Sequence, residues 1–195
     1  TGVLGFLIYL PYSKHLHILL AFPNTFYARQ KPAGQIDSLE SVTQEIKLMM
    51  NPDTAFAAAD PNAEIPTFGA KDVGDLTWKN LLDAYSCTEC GRCTDQCPAN
   101  LTGKKLSPRK VMMDTRDRME ELAAFRKGSG EEHDGKSLIS DEYVSVEELR
   151  ACTTCNACVE ACPVMINPLD IIIQMRRNLI LEQSNSPEEW NALFN

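Results

Sequence analysis

The sequence predicts a mostly α-helical fold, on three observations. Amphipathic stretches open on N-terminal capping residues, runs of alternating polarity are almost absent, and the cysteines fall into two blocks of identical spacing. Asp37 with Glu40 starts a helix bearing Val42, Ile46 and Met49 on one face. Asp75 or Thr77 opens a second, carrying Trp78, Leu81, Leu82 and Tyr85. Ser107-Pro108 begins a third over 108–125, where Val111, Thr115, Met119 and Leu122 recur at helical spacing with charges between them. Residues 128–135 read as a flexible acidic loop, with His133 in solvent. The stretch Leu138–Asp141 is too short to build a sheet. Ser145 with Glu148 forms a capping box for a short helix leading into Cys152. Asn167-Pro168 opens a helix over 168–182 that is apolar on more than one side, which predicts burial. Ser186, Pro187 and Glu189 start a last one with Trp190 and Phe194.

All eight cysteines belong to the two blocks. Cys87, Cys90, Cys93 and Cys97 precede Pro98; Cys152, Cys155, Cys158 and Cys162 precede Pro163. Each block reads C-x2-C-x2-C-x3-C-P, the ligand run of bacterial-type ferredoxins with two 4Fe–4S clusters. One zinc ion takes cysteine pairs separated by a longer loop, so four thiolates within eleven residues suit a bulkier cluster better. A disulfide framework belongs to smaller secreted domains, and 195 residues suffice for an ordinary core. Thiolates kept free for a cluster imply a reducing compartment. In two-cluster ferredoxins the fourth cysteine of each run serves the other cluster. That rule assigns Cys87, Cys90, Cys93 and Cys162 to the first cluster, and Cys152, Cys155, Cys158 and Cys97 to the second.

The repeat extends past the cysteines. Ser107-Pro108 and Asn167-Pro168 are each an N-cap followed by Pro at the first helical position, and Arg116 and Arg176 each lie eight residues beyond that Pro. The first half has five more residues between its last cysteine and its Pro. Internal duplication is the plain reading. The two arginines are expected to be solvated helix-face charges; the other reading has them donating toward cluster sulfurs or offsetting cluster charge.

The N-terminus has a different character. Val3–Leu10 is strongly apolar, and Ile18–Phe22 follows after a polar break; neither run reaches the ~20 residues of a spanning helix. The chain opens on Thr1, and residues 1–10 are expected to be the end of a transmembrane helix that begins upstream. Lys14, His15, His17, Arg29 and Lys31 then flank the membrane on its cytoplasmic side. A buried hairpin in a soluble protein is the alternative. A signal peptide is disfavoured because no basic region precedes the apolar run. Residues 1–31 hold three basic and no acidic side chains, whereas the remainder holds 16 basic and 27 acidic. An acidic body with a basic apolar tail suits a membrane partner and argues against nucleic acid. His15 and His17 are candidates for a haem b ligand or a quinone site at the membrane edge, with His15 placed first. No Ser/His/Asp set, phosphate-cradling glycine loop or acid pair is present, so the side chains offer no bond chemistry of their own.

The double cysteine run with helical spacers, over roughly 85–185, resembles the iron–sulfur proteins of the heterodisulfide reductase type. Its relatives include the iron–sulfur component of anaerobic glycerol-3-phosphate dehydrogenase and membrane-bound oxidoreductases that carry electrons from electron-transfer flavoprotein to menaquinone. Pro11-Tyr12-Ser13-Lys14-His15-Leu16-His17-Ile18, then Phe22-Pro23-Asn24, resembles the exit of the last membrane helix in those members where a haem-binding membrane domain is fused to the ferredoxin. The resemblance implies a helical two-cluster ferredoxin wiring a membrane quinone or haem b to a redox protein or flavoprotein, within a larger complex on the cytoplasmic side of the inner membrane. Membrane helices upstream and a cysteine-rich catalytic domain downstream are missing from the sequence, which a fragment would explain. The expected organisation is a membrane-proximal segment at 1–31, a helical linker at 32–84, the two-cluster ferredoxin at 85–185 and a C-terminal helix at 186–195. Two rivals stay open: the iron–sulfur component of a soluble heterodisulfide-reductase-like complex, and a zinc-binding structural module.

Overall fold

A computed structural model describes residues 1–13, 15–32, 34–50, 67–190 and 192; Lys14 and Phe194 lie outside the described residues. The described residues hold no strand, only an isolated bridge between Ile139 and Val144. In chain order the helices are α1 (Gly2–Tyr9), α2 (Leu16–Phe26), α3 (Glu40–Met50), α4 (Trp78–Ser86), α5 (Arg92–Asp95), α6 (Pro98–Leu101), α7 (Pro108–Ser129), α8 (Val146–Ala151), α9 (Ala157–Glu160) and α10 (Pro168–Arg177).

The helix starts follow local chemistry. Thr77, Ser107, Ser145 and Asn167 each accept a hydrogen bond from the backbone N–H three residues on, satisfying a donor that the first turn leaves without a helical partner. Thr77 with Asn80 and Ser145 with Glu148 close reciprocal capping boxes. Pro108 and Pro168 occupy first-turn positions, where the missing N–H costs nothing. α3 begins at Glu40, three residues after the expected cap. Asp37 is engaged elsewhere: its carboxylate pairs with Lys31 and lies 3.5 Å from Arg29. After α10 the chain continues as a π-helical turn over Asn178–Glu182, and a 3-10 turn, Glu188–Trp190, follows.

α10 forms the centre. Ile171, Ile172 and Met175 are fully buried and pack with Val111, Met112 and Leu122 of α7, Leu149 of α8, Ala84 of α4 and Leu138 and Val144 from the connecting loop. Apart from Ala84, each such side chain contributes roughly 1.5–3 kcal/mol on burial. Gly69 enters this packing with φ +71°, and a Cβ there would lie 2.2 Å from the Gln174 carbonyl oxygen. Both the backbone conformation and the space exclude a side chain. Gly69→Ala is therefore expected to lower unfolding stability by roughly 2–4 kcal/mol, read as a drop in the denaturant midpoint.

The acidic loop is tied to the helical body. α7 runs to Ser129, and Gly130 closes it in the left-handed region at φ +74°. Beyond it Asp134 is anchored by Arg118, a fully buried side chain of α7. Arg118 donates from Nε and Nη2 to the two oxygens of Asp72, at 2.9 and 2.6 Å, and from Nη1 and Nη2 to those of Asp134, at 2.6 and 2.7 Å. His133 is exposed, as expected; its Nε2 lies 3.3 Å from Asp72, and its Nδ1 accepts from the Gly135 N–H. The loop is tied to the body because one buried cation needs two carboxylates and the loop supplies the second.

No single described helix is long and apolar enough to cross a membrane. Residues 2–12 and 16–26 meet the length and hydropathy of a span only together, as a pair bent by 64°. α1 exposes Val3, Leu4, Ile8 and Tyr9, whereas α2 packs on α4. Asn24, fully buried, falls on the same four-residue stripe as Leu16, Leu20 and Ala28. It donates to the Val164 carbonyl at 2.9 Å and accepts from Lys79 at 2.9 Å. Ser86 donates to the Leu20 carbonyl, and the Tyr27 and Trp78 rings meet edge to face at 5.3 Å. Residues 16–27 are thus fastened to the cysteine-bearing body.

Candidate iron–sulfur site

The two cysteine runs adopt one backbone pattern. The second residue after the first cysteine is left-handed in both, Glu89 at φ +57° and Thr154 at +56°. So is the residue after the second cysteine, Gly91 at +85° and Asn156 at +62°. Gly and Asn are the residues that enter this region at least cost, and both then open matching short helices, α5 and α9, on which the third cysteines ride. Successive left-handed residues curl the loop so that N–H groups turn toward sulfur. The Thr154 N–H lies 3.4 Å from Cys152 Sγ, and the Ile166 N–H 3.4 Å from Cys162 Sγ.

The folded chain interleaves the runs. Cys162 of the second run stands beside Cys87 and Cys93 of the first, close enough for their charges to interact. Cys97 of the first run stands in the same relation to Cys152 and Cys158 of the second. Cys87, Cys90, Cys93, Cys158 and Cys162 line one small cavity. Cys93 and Cys158 are also electrostatic neighbours, so the two groups of sulfurs adjoin. Cys97 and Cys158 are buried, whereas Cys90 and Cys155 reach solvent.

Burial sets the charge requirement. It pushes the Cys87 and Cys152 thiols up, Cys93 to about 11 and Cys158 to about 12, with neighbouring thiols adding to the effect. Cys155, near the surface, goes the other way because the Ala157 N–H donates to its sulfur. Several thiolates packed side by side need a metal cation to offset them, and binding releases their protons. Among the described residues no three Cys, His, Asp or Glu side chains converge to hold a single metal ion. The donor set suits iron–sulfur clusters: thiolates from two runs, with backbone N–H groups at sulfur.

Neither Arg116 nor Arg176 is a solvated face charge. Both are half-buried, and each grips a cysteine loop. Arg116 donates to Glu89 at 2.6 Å, inside the first run. Arg176 donates from Nε to the Leu149 carbonyl at 2.8 Å, and from Nη2 to the carbonyls of Leu149 and Cys152, holding the end of α8 where the second run starts. Their spacing from the Pro residues was visible in sequence; the carbonyls and Glu89 that they meet were not. His15 and His17 separate. His15 is exposed, its ring against Phe6 at 6.4 Å. His17 lines a groove with Leu16, Tyr85, Cys87 and Arg116, so the second histidine, not the first, shares a groove with a cysteine.

Residues 86–166 match the 4Fe–4S dicluster domain family. This chain carries a 4Fe–4S dicluster domain. The chain is 33% identical, over 93% of its length, to a probable iron–sulfur-binding oxidoreductase, FadF, of Bacillus subtilis, of which the matched part is 27%. It is 36% identical, over 67% of its length, to an EtfAB:quinone oxidoreductase of Syntrophomonas wolfei, covering 21% of that protein. It is 32% identical, over 55% of its length, to one component of a ferredoxin/F(420)H(2)-dependent CoB-CoM heterodisulfide reductase of Methanosarcina acetivorans, covering 53% of that polypeptide. These relatives bear out the resemblance read from the cysteine runs. The chain spans about a quarter of the length of the first two. No solved structure matches.

Proposed function

We propose that this chain is the electron-transfer segment of a membrane-associated oxidoreductase, carrying electrons through two 4Fe–4S clusters between a redox protein, such as a flavoprotein, and a quinone or haem b. The coarse part, iron–sulfur electron transfer, follows from the dicluster domain and its oxidoreductase relatives. The observation that carries the rest is the interleaving of the runs. In this reading Cys87, Cys90, Cys93 and Cys162 hold one cluster, and Cys152, Cys155, Cys158 and Cys97 the other. Bound clusters supply one-electron chemistry; the chain supplies the thiolates, the N–H donors that tune potential, and a fixed separation between sites. The solvent-facing Cys90 and Cys155 suit electron entry and exit.

The membrane side of the proposal rests on the bent apolar pair at 2–26 and on the groove where Leu16, His17 and Leu20 meet Cys87. A quinone or a haem b edge fits such a place, a short step from the first cluster. Segment 1–31 is then membrane-proximal on the cytoplasmic side, and the whole is one part of a larger complex.

Anaerobic purification tests both halves. We expect a brown protein with about eight irons per chain and spin-coupled signals on full reduction, released from membranes only by detergent. Stoichiometric zinc without iron would replace this reading with the structural module. Iron present in a protein that extracts as a monomer into plain buffer would leave the soluble iron–sulfur component instead.

A further inference from the structure

The two halves repeat the position of one arginine but not its charge balance. Arg116 sits eight residues after Pro108 and is paired at 2.6 Å with Glu89, between the first two cysteines of its run. Asp117 lies 3.6 Å away on its other side. Cys87 therefore has a cation and a carboxylate near it that oppose each other. Arg176 sits eight residues after Pro168, and its partners are neutral carbonyls of Leu149 and Cys152. Among the described residues no carboxylate lies within ion-pair distance of it. The position matching Glu89 is Thr154, which carries no charge. Both guanidinium groups are half-buried, where a charge is screened far less than in solvent. The remaining arginines near the runs, Arg92 and Arg109 on one side and Arg150 on the other, are exposed and count for less.

We infer that this asymmetry makes the two clusters unequal: the one held by Cys152, Cys155, Cys158 and Cys97 has the higher reduction potential and holds the first electron. The inference rests on the two-cluster reading above. An uncompensated positive charge favours the more negative, reduced state of the cluster beside it, whereas a neutralised pair leaves it nearly unaffected. Arg176 and Glu89 are positioning residues here: they act through field, and neither is a ligand. The singly reduced chain then has a preferred location for its electron, on the side away from the groove that His17 lines.

Potentiometric titration of the anaerobically purified chain, followed by electron paramagnetic resonance, tests this. Two midpoints are expected. Arg176→Gln should lower the upper one by about 59 mV, a tenfold change in that one-electron equilibrium, and leave the lower one in place. Glu89→Gln should raise the lower one and leave the upper. Arg176→Lys should keep the upper midpoint near its original value, since it keeps the charge while losing the forked contacts. Equal midpoints, or both substitutions moving the same one, would overturn the inference while the two-cluster reading stands. A chain without iron would end both. If Arg176→Gln fails to fold, Glu89→Gln at its partly exposed site decides alone, by moving the lower midpoint or by failing to.

Discussion

Replacing Cys97 with Ala is expected to cost the cluster whose other ligands begin at Cys152, and to leave the cluster nearer in sequence intact. Iron should fall from about eight to about four per chain, with a matching loss of visible absorbance. The interleaving makes a sharper test available through double variants. Cys97→Ala with Cys155→Ala should lose no more iron than Cys97→Ala alone, because both damage one site. Cys97→Ala with Cys90→Ala should lose nearly all of it. Non-additivity of this kind reports shared membership directly. Local ligation would give the reverse pattern. The buried position of Cys97, beside Cys152 and Cys158, is what favours the crossed result.

The largest effect on stability is expected at Arg118. Arg118→Met keeps bulk but leaves Asp72 and Asp134, both nearly buried, facing each other without their cation. Breaking such a network from one side costs about 3–5 kcal/mol, seen as a lower denaturant midpoint with an unchanged slope. Adding Asp134→Leu to Arg118→Met should recover part of the loss, since one like charge is gone. The network also carries a pH signature. The guanidinium holds the Asp134 carboxyl well below the usual carboxylate range. A group whose pKa falls on folding contributes stability above its unfolded value, near 3.9, and that contribution is lost as pH falls through the folded one. Wild-type stability should therefore decline below about pH 4, and the decline should be shallower in Asp134→Asn.

What sequence reasoning reached, and what it missed, divides along sequence separation. The caps at Thr77, Ser107, Ser145 and Asn167 act on an N–H three residues away, so the residue types alone declare them. The cysteine runs declare a cofactor for the same reason: their spacing is local. Gly91 and Asn156 also signal left-handed backbone, but Glu89 and Thr154 share that conformation without a residue type that announces it. Arg118 looked like any charge on an amphipathic helix, because its carboxylates lie 46 residues before it and 16 after. Asn24 was hidden further still, its acceptor 140 residues away. Its place on the stripe of Leu16, Leu20 and Ala28 was the available sign: a polar side chain at a core position needs a buried partner.

That asparagine has a mechanical consequence. Its acceptor, the Val164 carbonyl, is two residues past Cys162. α2 is therefore bolted almost directly onto the cage of sulfurs. Tilting or sliding of α2 is felt at the sulfurs, through this hydrogen bond and the packing of α2 on α4. Electron transfer slows steeply with distance, and a strut of this kind restrains how far the helix can drift from the sulfurs.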